Sequence, residues 1–343
     1  MKVTIKDIAK LVGVASQNVS GVLNENPRCR VSPATREKIL TTARDLGYCK
    51  NISAKILRGE DTYTVAILVA NRVTRIADEH LLRMVMQLIN RFNGEQYACF
   101  LTEAWDPVKD NLAIVKDLMS RGARRFVIIG DIPSMPELEE LFATADCSFI
   151  QYGRHGRRHG DFSMAAAVHE LWDSLSPRQH SHFKFITNPD ISPNNRITAF
   201  QSLSKDWTSF LFKSNLVFMD SGNKDELYME CGYSDTKALL KRFPETQVIL
   251  YHSDYYLQGG IRYCVEHGLR IGQDIQLVGI NYSSMVRFSP FPLWSLSYPE
   301  EEFVDFLFSE VHKKEPVNRI FEMKLNKNSA MDRLQKKPKG AEK

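Results

Sequence analysis

The sequence predicts an α/β protein in three consecutive parts: an N-terminal three-helix head of helix-turn-helix type, a short hinge helix, and a two-lobed body of parallel sheets flanked by helices. Three observations carry this. Residues 4–24, TIKDIAKLVGVASQNVSGVLN, read as two short amphipathic helices separated by a Gly-Val turn. Residues 1–60 hold 11 Lys/Arg against 5 Asp/Glu, a net of +6, so with +4 for the whole chain the remaining 283 residues carry −2. From Thr64 onward, short apolar runs alternate with helical patterns, as parallel strands with crossover helices do.

In the head, Thr4 is placed to cap a first helix with Asp7 as its capping-box partner, and Ile5, Ile8, Ala9 and Val12 form one apolar face. Gly13 breaks that helix. A second runs from Ala15 through Val19, Val22 and Leu23, leaving Ser16, Gln17, Ser20 and Gly21 outward, where a recognition helix meets base edges. Ser32-Pro33 starts a third helix whose buried face is Ile39, Leu40, Ala43 and Leu46, ended by Gly47. Asn51–Arg58 is a helical pattern of about two turns, too short to hold alone, so it should be disordered until DNA or a second copy orders it. Gly59-Glu60-Asp61 reads as a linker.

The body's apolar runs predict strands at 64–70, 97–102, 125–130, 148–152, 183–186, 215–219, 247–251 and 275–280. That number suits two open sheets side by side, with a cleft between them at the strand ends. The expected domains are residues 1–50 for the head, 51–60 for the hinge helix and linker, and 61–325 for the body. Its N-lobe is about 61–158 plus 299–316 and its C-lobe about 159–297 plus 317–325, with 326–343 a basic, disordered tail.

A basic head on a near-neutral body is the footprint of a module that neutralises phosphates. The plainer alternative, a solvated basic surface, is disfavoured because the helix-turn-helix pattern coincides with the charge. The six cysteines (Cys29, Cys49, Cys99, Cys147, Cys231, Cys264) have no metal spacing and read as reduced thiols. There is no metal or cofactor motif: GxGxxG after the first strand, GxxxxGK[ST] and GxSxG are all missing, so an enzyme is not expected. Residues 1–30 lack a signal-peptide stretch and no apolar run approaches about 18 residues, so a cytoplasmic location without membrane contact is expected.

The head TIKDIAKLVGV, VSGVLN, VSPATREKIL and LGY, followed by the Asn51–Arg58 segment and the α/β body, resembles the lactose/galactose repressor family of bacterial transcription regulators. The likeness runs from Lys2 to about Leu325. In the body it rests on Asn195-Arg196 with Ile197, Ala199 and Phe200, on Gly232-Tyr233, on Ser253-Asp254 with Gly259, and on Gly268–Gly279. It implies a periplasmic-binding-protein-like body and Ser16, Gln17 and Gly21 as base-reading positions. Gln can bond adenine N6/N7 bidentately, whereas Gly21 stands where the family often has Arg or His, so no operator sequence can be borrowed. Thr4, Asn24, Ser32, Thr35 and Tyr48 fall on phosphate-gripping positions, and the longer loop Glu25–Arg30 adds Arg28 and Arg30. In the hinge, Ala54, Leu57 and Arg58 fall on the minor-groove element, with Leu57 as the wedge.

The resemblance also implies an interlobe site for a small, sugar-like effector. Arg196 and Asp254 are its leading candidates, Arg as a fork for vicinal hydroxyls or a carboxylate and Asp as an acceptor. Asp161, Asn71, Arg72, Glu103 and Trp105 follow as residues at strand ends or near the lobe crossover; each also reads as loop chemistry or packing. NYSSM at 281–285 and HGDFSMAA at 159–166 depart from the family's landmarks. The expected function is a homodimeric, sequence-specific regulator, in the first instance a repressor, of a pseudo-palindromic operator, modulated by that effector. The alternative is a constitutive DNA-binding regulator whose body is a dimerisation scaffold without a ligand.

Overall fold

The capping residues of the head do what their chemistry suggests. Helix α1 (Ile5–Val12) starts at Thr4, whose hydroxyl accepts from the Asp7 N–H while the Asp7 carboxylate takes the Thr4 N–H at 2.8 Å. Gly13, with φ 78°, ends it in the left-handed region that a side chain would strain. Helices α2 (Ser16–Leu23) and α3 (Pro33–Asp45) follow, the latter capped by Ser32, which accepts from the Thr35 N–H at 3.1 Å. Ile8, Ala9, Val12, Val19, Val22, Ile39 and Ala43 close the small core. Leu40, expected on the buried face of α3, is instead 43% exposed. It lies about 100° round the helix from Ile39, outside the stripe that Ile39 and Ala43 define.

The computed structural model describes residues 3–48, 61–70, 79–104, 108–154, 156–187, 196–201, 203, 216–218 and 228–328. It falls into two compact units, Met1–Thr62 and Tyr63–Lys343. The expected hinge, including Ala54, Leu57 and Arg58, lies outside the described residues, as does 329–343.

The second unit begins with β1 (Thr64–Ala70), α4 (Glu79–Gly94), β2 (Ala98–Ala104), α5 (Val108–Ser120), β3 (Arg125–Ile129), α6 (Met135–Thr144), β4 (Ser148–Tyr152) and β5 (Arg158–Ser163). Next come α7 (Ala165–Asp173), α8 (Pro177–Ser181), β6 (Phe183–Thr187), α9 (Thr198–Gln201), β7 (Leu216–Phe218), α10 (Tyr228–Arg242), β8 (Val248–Tyr251), α11 (Asp254–Glu266) and β9 (Gln276–Ile280). The last elements are α12 (Ser284–Arg287), β10 (Trp294–Ser297), α13 (Glu300–Glu310), β11 (Val317–Glu322) and β12 (Lys324–Lys327).

Two six-stranded sheets result, in the orders β11-β5-β4-β3-β1-β2 and β12-β10-β9-β8-β6-β7. All pairings are parallel except β10 with β12. Burial on both faces explains the unbroken apolar run of β1, buried at every position.

The lobe boundaries differ from the expected ones. Residues 158–163 and 317–322 pair with each other in the first sheet, so the chain crosses after Ser163, between Ser297 and Glu300, and at Met323. Asn326 and Lys327, expected in the tail, belong to β12. The reason is compositional. RHGDFS and VNRIFE lie at the sheet margin, where β11 leaves Asn318, Arg319 and Ile320 exposed, so neither segment has the apolar run of an inner strand. A single apolar cluster joins the two lobes through Phe162, Met164, Ala167, Leu296, Phe321 and Met323.

Candidate nucleic-acid interface and interlobe cleft

Helix α2 presents Ser16 and Gln17 to solvent at its start, while Val19 and Val22 are buried against the other two helices. Ala15 gives α2 no side-chain cap, so the N–H groups of Ser16 and Gln17 stay open to an outside acceptor. Gly21 is a correction to the sequence reading, since it does not project outward. A Cβ at this position would stand 2.6 Å from Cys29 Sγ and 2.8 Å from Cys29 Cβ. The loop after α2 folds back through Asn26 N to Gly21 O at 2.9 Å and Cys29 N to Asn26 O at 2.9 Å, and Cys29 Sγ reaches Asn18 O at 3.6 Å. The absent side chain is thus the seat of Cys29.

The other head candidates are spread over the surface. Thr4 and Asn24 are exposed, with the Thr4 hydroxyl donating to Asp7 at 2.7 Å and the Asn24 amide to Ser20 at 3.3 Å. The Ser32 and Thr35 hydroxyls share a 2.8 Å hydrogen bond, and Tyr48 packs half-buried against the head core. Arg28 and Arg30, on either side of Cys29, are exposed.

In the body, Asn71, Arg72 and Trp105 lie outside the described residues. Glu103 is half-buried on β2, the edge strand of the first sheet. Asp161 sits on β5 and pairs with Arg154 Nε at 2.6 Å. Asp254 is the second correction: it is 0% exposed and serves its own lobe. Its Oδ2 accepts from the Ser283 N–H at 2.6 Å and its Oδ1 from the Ser295 hydroxyl at 2.8 Å. A carboxylate so enclosed offers no surface to a ligand.

Arg196 stays available. It is half-buried, and its Nη1 is buried without a hydrogen-bond partner among the described residues. Near it lies His252, which follows β8. Burial, and then the charge of Arg196, pushes the His252 imidazole well below its usual range, so this ring is neutral.

The sequence reading missed a polar contact between the two lobes. Glu79, the first residue of α4, accepts from the Ser284 hydroxyl at 2.7 Å and from the Ser284 N–H at 3.0 and 3.2 Å. Arg83, one turn on, donates to Glu79 at 2.9 Å and to both oxygens of Glu300 at 2.7 and 3.2 Å. Gln87 adds a bond to Glu300 at 2.9 Å, and His80 stacks on Tyr298 with ring centroids 4.1 Å apart. An acidic residue at a helix start was the only local signal, and it does not name a partner 205 residues away.

Burial works to raise both carboxyls. For Glu79 the Ser284 hydroxyl and N–H, then Arg83, outweigh it; for Glu300 the neighbouring His80 ring and the bonds from Arg83 do, so both finish below the usual carboxylate range. Each therefore adds stability that is complete above the ordinary value of 4.5 and is lost as pH falls through the lowered folded value. Urea unfolding between about pH 6 and pH 3 should show a shallower acid loss in Glu79→Gln and in Glu300→Gln than in the parent chain.

Residues 4–51 match the sequence pattern of the family described as "Bacterial regulatory proteins, lacI family". The head thus carries the helix-turn-helix pattern of the lacI family. The match spans all three head helices. Over a longer stretch, the chain is 25% identical over 292 residues to the HTH-type transcriptional regulator TreR of Salmonella typhimurium, covering 84% of this chain and 85% of the relative. It is 24% identical over 298 residues to catabolite control protein A of Priestia megaterium, covering 84% and 86%. The fold is that of a lac repressor dimer solved bound to operator and the anti-inducer ONPF, with a TM-score of 0.77 at 17% identity over 96% of this chain and 99% of that one.

Proposed function

We propose that the chain is a sequence-specific DNA-binding transcription regulator, acting as a repressor, that binds a pseudo-palindromic operator as a homodimer in the cytoplasm and answers to a small sugar-like ligand. The observation that carries this reading is the exposed pair Ser16 and Gln17 opening α2, on a capped three-helix head whose residues 4–51 match the family pattern. Gln17 would read adenine in the major groove. Thr4, Asn24, Ser32, Thr35, Tyr48, Arg28 and Arg30 would hold phosphates that fix register, and Ala54, Leu57 and Arg58 would enter the central minor groove.

Exposed apolar side chains support the pairing of two copies. Leu82 and Met86 stand one turn apart on α4, 63% and 48% exposed, and Leu101 on the edge strand β2 is 54% exposed. In the cleft, the unpartnered Nη1 of Arg196 and the neutral His252 would take hydroxyl or carboxylate oxygens of the ligand.

The test starts by selecting bound sequences from random DNA. Gln17→Ala should then lose about 1–3 kcal/mol on the selected operator, roughly 5- to 150-fold in Kd at fixed salt, with little change on random DNA. Equal losses on both would remove the base-reading role.

A second reading has its own support, because the enclosed carboxylate of Asp254 takes one leading effector contact out of the cleft. In that reading the body is a dimerisation scaffold and DNA binding is constitutive. A thermal-shift screen of the full chain against sugars and nucleosides separates the two, since a ligand of the native state raises its apparent stability.

A further inference from the structure

We propose that Glu79 is a built-in latch that holds the two lobes together without any bound effector, so that opening the cleft means releasing Glu79 from Ser284. This rests on the regulator reading of the cleft and names how that cleft is controlled.

The turn after β9 is gripped by two carboxylates from opposite sides. Asp254, from the same lobe, takes the Ser283 N–H at 2.6 Å. Glu79, from the other lobe, takes the next N–H and the hydroxyl of Ser284 at 3.0 and 2.7 Å. Chain oxygens thus fill hydrogen-bonding positions at a strand's carboxyl end, the part of an open α/β sheet that usually receives a ligand.

The two grips differ in reversibility. Asp254 is 0% exposed, whereas the Glu79 side chain keeps 23% of its surface in water and Ser284 is exposed. Water can replace the Glu79 bonds when the lobes part, and a ligand oxygen can compete for them. Asp254 has no such exchange open to it.

The latch is mounted on the crossover between the lobes. Arg83 ties Glu79 to Glu300, which opens α13 just after the chain leaves β10, and His80 stacks on Tyr298 in that crossing segment. Phe162, at the end of β5, packs on the same Tyr298 ring with centroids 4.4 Å apart. Rotation about the crossings must therefore either break Glu79 from Ser284 or carry α4 along. The latter would move Leu82 and Met86, the exposed apolar pair on that helix.

The experiment compares the ligand-free full chain with Glu79→Gln, Glu79→Ala and Ser284→Pro, using X-ray scattering and amide exchange in the turns after β8 and β9. Ser284 is the first residue of α12, and Ser283 before it is extended (φ −66°, ψ 171°), so proline fits while removing both donors. Gln keeps the shape of Glu79 and loses its charge, which guards against misreading a variant that merely folds poorly. The expected result is a larger radius of gyration and exchange at least about tenfold faster in both turns for Glu79→Ala and Ser284→Pro, with Glu79→Gln intermediate. Scattering and exchange identical to the parent chain in all three variants would overturn the latch. Operator binding by the parent chain is measured alongside: its absence sinks the regulator reading and leaves the scattering result to stand or fall by itself.

Discussion

Gly259→Ala should destabilise the body by about 2–4 kcal/mol, an overpacking cost at the upper end of its usual range, lowering the urea midpoint of the full chain. Helices α10 and α11 cross with their backbones nearly touching. A Cβ on Gly259 would lie 2.1 Å from Met229 O and 2.3 Å from Tyr233 N, and one on Gly232 would lie 2.0 Å from Tyr256 O. These neighbours are main-chain atoms of helices, so no side chain can swing aside and the helices must separate. The roughly 1 kcal/mol by which alanine outdoes glycine in helix propensity does not offset that. Gly94, the last residue of α4, is the control: its Cβ would meet nothing within 4 Å, so Gly94→Ala should be neutral or slightly stabilising. Equal midpoints for the two variants would mean that the helix crossing has room for a methyl group.

Asp254→Ala should cost about 3 kcal/mol in the ligand-free chain, because it strands the Ser283 N–H and the Ser295 hydroxyl inside the C-lobe and leaves a void. Gly279 shows how closely the carboxylate is fitted: a Cβ there would meet Asp254 Oδ1 at 2.0 Å. The prediction separates two roles that one residue can have. A ligand contact would lose ligand affinity at unchanged stability, whereas a residue that ties β9 and β10 to the start of α11 loses stability with no ligand present. Thermal unfolding of the ligand-free variant decides between them, and an unchanged midpoint would return Asp254 to the cleft.

Three landmarks of the family resemblance, Gly232, Gly259 and Asp254, therefore mark close packing and internal satisfaction. A short motif records which residue types occur at a spacing, and it does not say whether that spacing serves a ligand or a helix crossing. Gly21 repeats the point in the head. Its lack of a side chain reads from sequence as a lost base contact, yet its cause is Cys29, eight positions on, folded against it.

What the sequence determined alone was whatever depends on near neighbours. The Thr4–Asp7 capping box, the left-handed stop at Gly13, the Ser32-Pro33 start and eight strands, β1 to β4 and β6 to β9, were all legible, because caps act over three residues and these strands are written as apolar runs. Strands β5, β10, β11 and β12 were not, since RHGDFS, WSLS, VNRIFE and KLNK interleave polar with apolar residues and carry no such run. Only the tertiary structure decided the crossing at Met323, the enclosure of Asp254 and the bond from Glu79 to Ser284. Each joins residues far apart in the chain, and hydrogen bonds and burial depend on distances that local composition does not encode.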